Sequence, residues 1–197
     1  MSNNEVNRTR RNLLIATSVV GGAGVATAAW PFIASMTPSA KAQGLGAPVE
    51  VDISKLESGA KLTVAWRGKP VWIISRDKQM LDLLGKHDDR LTDPKSEGSV
   101  QPEYCKNPYR SIKPELMVAV GICTHLGCSP SDKLKPESDN ETGPNWPGGF
   151  YCPCHGSRFD LATRVFNGSP APTNLVVPPH KYLSPTLIRI GDDSKGA

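Results

Sequence analysis

Two short stretches constrain this chain more than any other feature: "CTHLGC", Cys123 to Cys128, and "CPCHGS", Cys152 to Ser157. Each packs two thiols, one imidazole and a glycine together. That density of donors is metal-ligand chemistry. Thiolates select zinc or iron–sulfur centres, and imidazole suits zinc and iron. A structural zinc site takes four ligands. Six donors are therefore two too many, and in an oxidising compartment a surplus pair of cysteines can close a disulfide. Choosing Cys128 and Cys154 as that pair leaves one cysteine and one histidine on each stretch. The fold has to bring two loops together around whatever they hold.

The N-terminal region bears on the compartment. Asn12 to Ala40 contains no charged residue, and its apolar part runs from Leu13 to Met36. About 20 helical residues cross a hydrocarbon core of roughly 30 Å, so this run is long enough. Trp30, Pro31 and Phe32 sit near its end, where interfacial aromatics are expected. Ahead of it, "TRRNLLI" with Arg10 and Arg11 resembles a twin-arginine export signal. That resemblance implies a protein exported already folded with its cofactor. Arginines before the helix keep the N-terminus inside and place the rest in the periplasm. "AKA", Ala40 to Ala42, has the form of a cleavage site. The apolar run exceeds the h-region of about 7–15 residues, however, so an uncleaved anchor in a bacterial inner membrane is expected.

The sequence then divides into a signal and transmembrane anchor, 1–36, a flexible hinge, 37–48, and a periplasmic head, 49–197. The hinge is small, polar and glycine-bearing, with neither helical nor strand periodicity. The net charge of +4 comes mostly from Arg8, Arg10, Arg11 and Lys41, so the head offers no basic face for nucleic acid.

From Val49 the pattern is that of a mainly β fold. Lys61 to Arg76 predicts a hairpin turning at "RGKP". Asp77 to Lys86 predicts a short helix capped by Asp77 and ending near Gly85. "LMVAVGIC" predicts a strand leading into the first cysteine–histidine stretch, "FYC" one leading into the second, and "RVFNGS" and "TLIRIG" two more. Residues 129–149 are polar and rich in proline, glycine and asparagine, which predicts a surface excursion. Short strands with many turns (18 Gly and 18 Pro) predict a small antiparallel barrel or sandwich on a single N-terminal transmembrane helix.

The paired stretches resemble the motifs C-x-H-x-G-C and C-x-C-H-G-S of the Rieske iron–sulfur proteins, and the resemblance covers roughly 62–192. It includes "WRGKPVWI" and "GSPAP", Gly168 to Pro172, which is similar to the family's proline-rich loop over the cluster. Together with the anchor, it lies nearest the Rieske subunits of bacterial cytochrome bc complexes. The resemblance implies a 2Fe–2S cluster within about 116–182, with Cys123 and Cys152 on one iron and His125 and His155 on the other. It implies a disulfide between Cys128 and Cys154. Ser157 resembles the serine that hydrogen-bonds a bridging sulfide, and Phe159 stands where high-potential relatives carry a tyrosine bonded to a cysteine sulfur. Leu126 and Gly127 fall at the exposed docking tip, and His155 at the quinol contact, where it accepts the proton.

The implied function is electron transfer from ubiquinol to a c-type cytochrome, with proton release on the periplasmic side. The implied partners are a cytochrome b subunit, a c-type cytochrome subunit and ubiquinol, in a dimeric membrane-embedded complex. The isolated chain is expected to be inactive. Imidazole ligation explains the chemistry. Two neutral ligands in place of thiolates raise the potential from roughly −400 mV to between about −150 and +300 mV.

Three other readings are weaker. The small Rieske subunit of an arsenite-oxidase-like enzyme lacks the anchor and tether resemblance, and soluble dioxygenase ferredoxins lack the disulfide cysteines and export signal. A zinc-binding structural module is a third. Cys105 reads as inert, His180 as structural or superficial, His87 in "KHDDR" as part of a solvated charged turn, and Trp66 and Trp72 as core.

Overall fold

The computed structural model describes residues 7–192, so the expected ranges 1–36 and 49–197 run past it at both ends. The chain separates into two units, 1–44 and 45–197.

In the first unit, α1 (Arg8–Ser35) begins where the Asn7 side chain accepts the Arg10 N–H at 3.1 Å, capping an otherwise unpaired donor. Arg10 and Arg11 thus lie in its first turn. Its 28 residues give about 42 Å of helix, and it is apolar and long enough to cross a membrane. The segment expected to lack regular structure contains α2 (Ala40–Gly46). The Ser39 hydroxyl accepts the Ala42 N–H there, and the good helix formers Ala40 to Gln43 follow it before Gly44 and Gly46 weaken the second turn.

Among the described residues, the head is built of three antiparallel three-stranded sheets. The first joins β1 (Val49–Asp52), β9 (Leu187–Ile190) and β8 (His180–Ser184); the second joins β2 (Lys61–Trp66), β3 (Lys69–Ser75) and β4 (Leu116–Val120). The third joins β5 (Ser131–Lys133), β6 (Gly149–Tyr151) and β7 (Arg158–Asp160).

The second sheet lies between two apolar cores, which explains why β3 reads as an unbroken apolar run. Val71, Ile73, Val118 and Val120 point to one side, against Val51, Ile188 and Ile190. Trp72, Ile74, Met117 and Ala119 point to the other, against Phe150 and Phe159 of the third sheet. Alternation along a strand puts successive side chains on opposite faces, so one strand serves both cores. The β2–β3 hairpin turns at Arg67 and Gly68, both with positive φ, the geometry that suits a tight two-residue connection. In α3 (Lys78–Leu84), Asp77 accepts the Met80 N–H and Gly85 closes the helix.

Two strand-level expectations are corrected. "RVFNGS" is not a strand. It makes only the isolated bridges of Val165 and Phe166, because the Asn174 side chain accepts the Val165 N–H that a ladder would use. The excursion 129–149 is also less superficial than its composition suggests. It contributes β5 and buries Trp146, whose indole N–H donates to the Lys133 carbonyl at 2.8 Å.

Candidate metal centre

The two cysteine–histidine stretches fold into loops with matching closure. In the first, which follows β4, Cys123 N–H donates to Cys128 O at 2.7 Å and Gly127 N–H to Cys123 O at 3.1 Å. In the second, between β6 and β7, Cys152 N–H donates to Ser157 O at 2.7 Å and Gly156 N–H to Cys152 O at 2.9 Å. Gly127 and Gly156 both hold positive φ, at 88° and 78°, which explains the glycine in each motif. The second sheet positions the first loop and the third sheet positions the second.

This construction brings the ligand candidates together in pairs. Cys123 and Cys152 are free thiols, each buried, and their side chains lie within hydrogen-bond reach of one another. The rings of His125 and His155 meet edge to face, with centroids 4.8 Å apart. His125 is half-buried and His155 exposed. Sulfur thus lies on the inner side and imidazole on the outer. Burial pushes the Cys123 thiol up, and the Cys152 sulfur beside it adds to that, while a hydrogen bond from Ser157 opposes it. A thiolate pair at this depth needs a neighbouring cation, so the donor set suits a metal centre that takes two sulfurs and two imidazoles.

Cys128 and Cys154 are joined in a disulfide that ties the loops together. The sulfurs of Cys128, Cys152 and Cys154 lie within 4.8 Å of one another. This trio is not a ligand set, because two of its members are spent in the bridge. Leu126 at the first loop's tip is 72% exposed, and Gly127 beside it is exposed too.

A third loop, around Gly168–Pro172, is latched to both. Ser157 Oγ accepts the Ala171 N–H at 3.0 Å, and the Thr124 hydroxyl donates to Thr173 O at 2.7 Å. Phe159 is fully buried in the same apolar core as Cys123 and Cys152.

The structure overturns one residue reading. His87 is not part of a solvated turn. It is 4% exposed, stacks on Phe166, and its Nε2 lies 3.2 Å from Asp160 Oδ2. Sequence reasoning passed over Asp160 altogether. This carboxylate, at the end of β7, accepts the backbone N–H groups of Ala162 and Arg164, Arg164 Nε–H at 2.8 Å, and His87. Desolvation pushes its carboxyl up, but Arg164, the bond from His87 and the Arg164 backbone N–H together outweigh that and hold it below the usual range. An ionised carboxylate only accepts, so His87 Nε2 carries the proton.

Two more buried arginines grip the following turn. Arg76 donates to Leu161 O, and Arg110 to Ala162 O and the Thr163 hydroxyl. Burial lowers both guanidiniums to about 10, which leaves them charged at neutral pH. Cys105 is fully buried, its thiol pushed up to about 12 by burial, and His180 is a buried structural histidine bonded to Pro178 O.

Two matched loops of this chemistry on a small antiparallel head define the Rieske class of iron–sulfur domain, and the family models and curated relatives agree. Residues 98–179 match the family model "Rieske [2Fe-2S] domain", and residues 1–39 match "Ubiquitinol-cytochrome C reductase Fe-S subunit TAT signal". The "Ubiquinol-cytochrome c reductase iron-sulfur subunit" of Allochromatium vinosum is 60% identical, covering 100% of this chain and 95% of its own. That of Blastochloris viridis is 42% identical, covering 96% and 97%. A chain of the solved "Hyperthermophilic respiratory Complex III" is 26% identical, covering 88% of this chain and 97% of that one, with a TM-score of 0.46. The chain belongs to the family of ubiquinol–cytochrome c reductase iron–sulfur subunits. Its cofactor is a 2Fe–2S cluster.

Proposed function

We propose that this chain is the mobile electron carrier of a cytochrome bc complex, taking electrons from ubiquinol and passing them to a c-type cytochrome on the periplasmic side. The observation that carries the reading is the pairing of a buried thiol pair with an outward imidazole pair beside an exposed apolar tip. Full-length similarity to named reductase subunits supports it.

Cys123, His125, Cys152 and His155 hold the cluster, which when bound supplies a one-electron acceptor. His155, the more exposed imidazole, accepts a hydrogen bond from the quinol hydroxyl on its outward ring nitrogen and then keeps that proton. Leu126 and Gly127 make the apolar contact with the cytochrome b partner, and the bridge between Cys128 and Cys154 holds the tip in shape. The α1 helix anchors the chain with its head outside, and residues 37–48 serve as the hinge for delivery to the cytochrome. The assembly is a dimer, proton release accompanies turnover, and the isolated chain is inactive. The test is purification from membranes. The reading expects co-purification with b- and c-type haem proteins and quinol-dependent cytochrome c reduction. Isolation with a molybdenum enzyme and no haem would support the arsenite-oxidase-like alternative instead.

Two residues tune the centre. Removing the hydroxyl in Ser157→Ala deletes a hydrogen bond to the sulfur side, which stabilises the reduced state. The midpoint potential should fall by about 59 mV if that bond is worth about 1.4 kcal/mol, read by redox titration of the loaded protein. Phe159→Tyr runs the other way. Its ring is buried in the core that holds the Cys123 and Cys152 thiols, and the family resemblance places a tyrosine hydroxyl at this position against a cysteine sulfur. The potential should rise by a similar amount, about 59 mV. An unchanged or lower value would contradict this role.

A further inference from the structure

Cys152 has a second neighbour besides Cys123. Its sulfur lies within 4.8 Å of both sulfurs of the Cys128–Cys154 bridge. We propose that Cys152 is a latent nucleophile toward this disulfide, and that filling the metal site is what preserves the native pairing. The inference rests on the reading of Cys152 as a cluster ligand.

The exchange needs no outside oxidant. Cys152 Sγ gives up its proton and bonds to Cys128 Sγ. The Cys128–Cys154 bond breaks, its electron pair leaves on Cys154 Sγ, and that sulfur takes up a proton. One thiol and one disulfide enter, and one of each leaves. Attack on Cys128 is the favoured direction for two reasons. The product still ties the same two loops, whereas a Cys152–Cys154 bond would span only Pro153. The leaving sulfur is also the exposed one, so water solvates its thiolate.

The consequence is an order of assembly. With Cys123 and Cys152 committed to iron, Cys128 and Cys154 are the only remaining cysteines besides the fully buried Cys105. Their pairing then has no competitor. A bridge closed before the site is filled stands beside a free attacking sulfur. The match to a twin-arginine signal fits this order, because such a protein folds around its cofactor before reaching an oxidising compartment.

Two variants of the full chain separate the cases. Cys123→Ser and Cys152→Ser each lose one ligand, but only the first keeps the attacking sulfur. Each is oxidised in air, quenched in acid, alkylated without reductant and mapped by mass spectrometry. In Cys123→Ser the expected result is a Cys128–Cys152 linked peptide and alkylation of Cys154 in most molecules. In Cys152→Ser the native bridge stays intact and Cys154 unlabelled. Stripping the wild-type protein with a chelator gives the same readout without a mutation. Label should appear on Cys154 as the colour fades. Retention of the native bridge in both the stripped protein and Cys123→Ser would overturn the proposal. Wild-type protein that never carries colour would defeat the metal reading instead.

Discussion

Asp160→Asn destabilises the head by about 3 kcal/mol, at the lower end of the cost of breaking a buried ion pair. The substitution keeps the shape and removes the charge. Asp160 is fully buried, and one of its oxygens receives both Arg164 Nε–H and His87 Nε2–H. An amide in its place leaves the Arg164 guanidinium with the half-exposed Asp88 as its remaining carboxylate partner. Arg164 also donates to Leu84 O and Pro94 O, so the loss spreads from β7 to the end of α3 and the turn beyond it. Denaturant unfolding reads the effect, and a second substitution, Arg164→Met, checks its cause. The double variant should regain part of the loss, because it removes the stranded charge. Acidity gives an independent readout. The folded-state carboxyl is held below its ordinary range, so its contribution is present above an unfolded value of about 3.9 and is lost as pH falls below that. Wild type should weaken through that window and Asp160→Asn should weaken less. A variant as stable as wild type would contradict the role given to Asp160.

Cys128→Ser costs about 3.5 kcal/mol by the loop-closure argument for a bridge spanning 26 residues. For a head of this size that is a fall in melting temperature of about 10 °C. The bridge joins the loops at their exposed ends while the thiols meet at the buried end, so its loss also opens the ligand cage. Loss of visible absorption on storage should quicken along with the fall in stability. Cys154→Ser should match Cys128→Ser, and the double variant should be no worse than either, since all three lack one and the same bond. Additive losses would mean that the two cysteines act separately.

Local chemistry made much of this legible in the sequence. The cysteine–histidine motifs marked the loops, Arg67 and Gly68 the hairpin turn, and Asp77 and Gly85 the ends of α3, because in each case the signal and the structure lie within a few residues. His87 was illegible for the opposite reason. Its partner Asp160 lies 73 positions away, and between Lys86 and two aspartates the histidine reads as surface. Arg76, Arg110 and Arg164 were invisible on the same grounds. Each is buried because distant carbonyls converge on it, joined at Arg164 by the carboxylates of Asp160 and Asp88. "RVFNGS" misled because Asn174, rather than a neighbouring strand, satisfies Val165. The tether misled because seven residues held by the Ser39 cap are too few to show a period.

The central claim is that two thiolates and two imidazoles from facing loops share a two-iron centre. Iron and acid-labile sulfide analysis of the purified chain, combined with electron paramagnetic resonance before and after reduction, tests it most directly. The account predicts coloured protein with two irons and two sulfides per chain, silent when oxidised and giving a signal when reduced, with both lost in Cys152→Ser. Colourless protein holding a single divalent ion and giving no signal on reduction would contradict it.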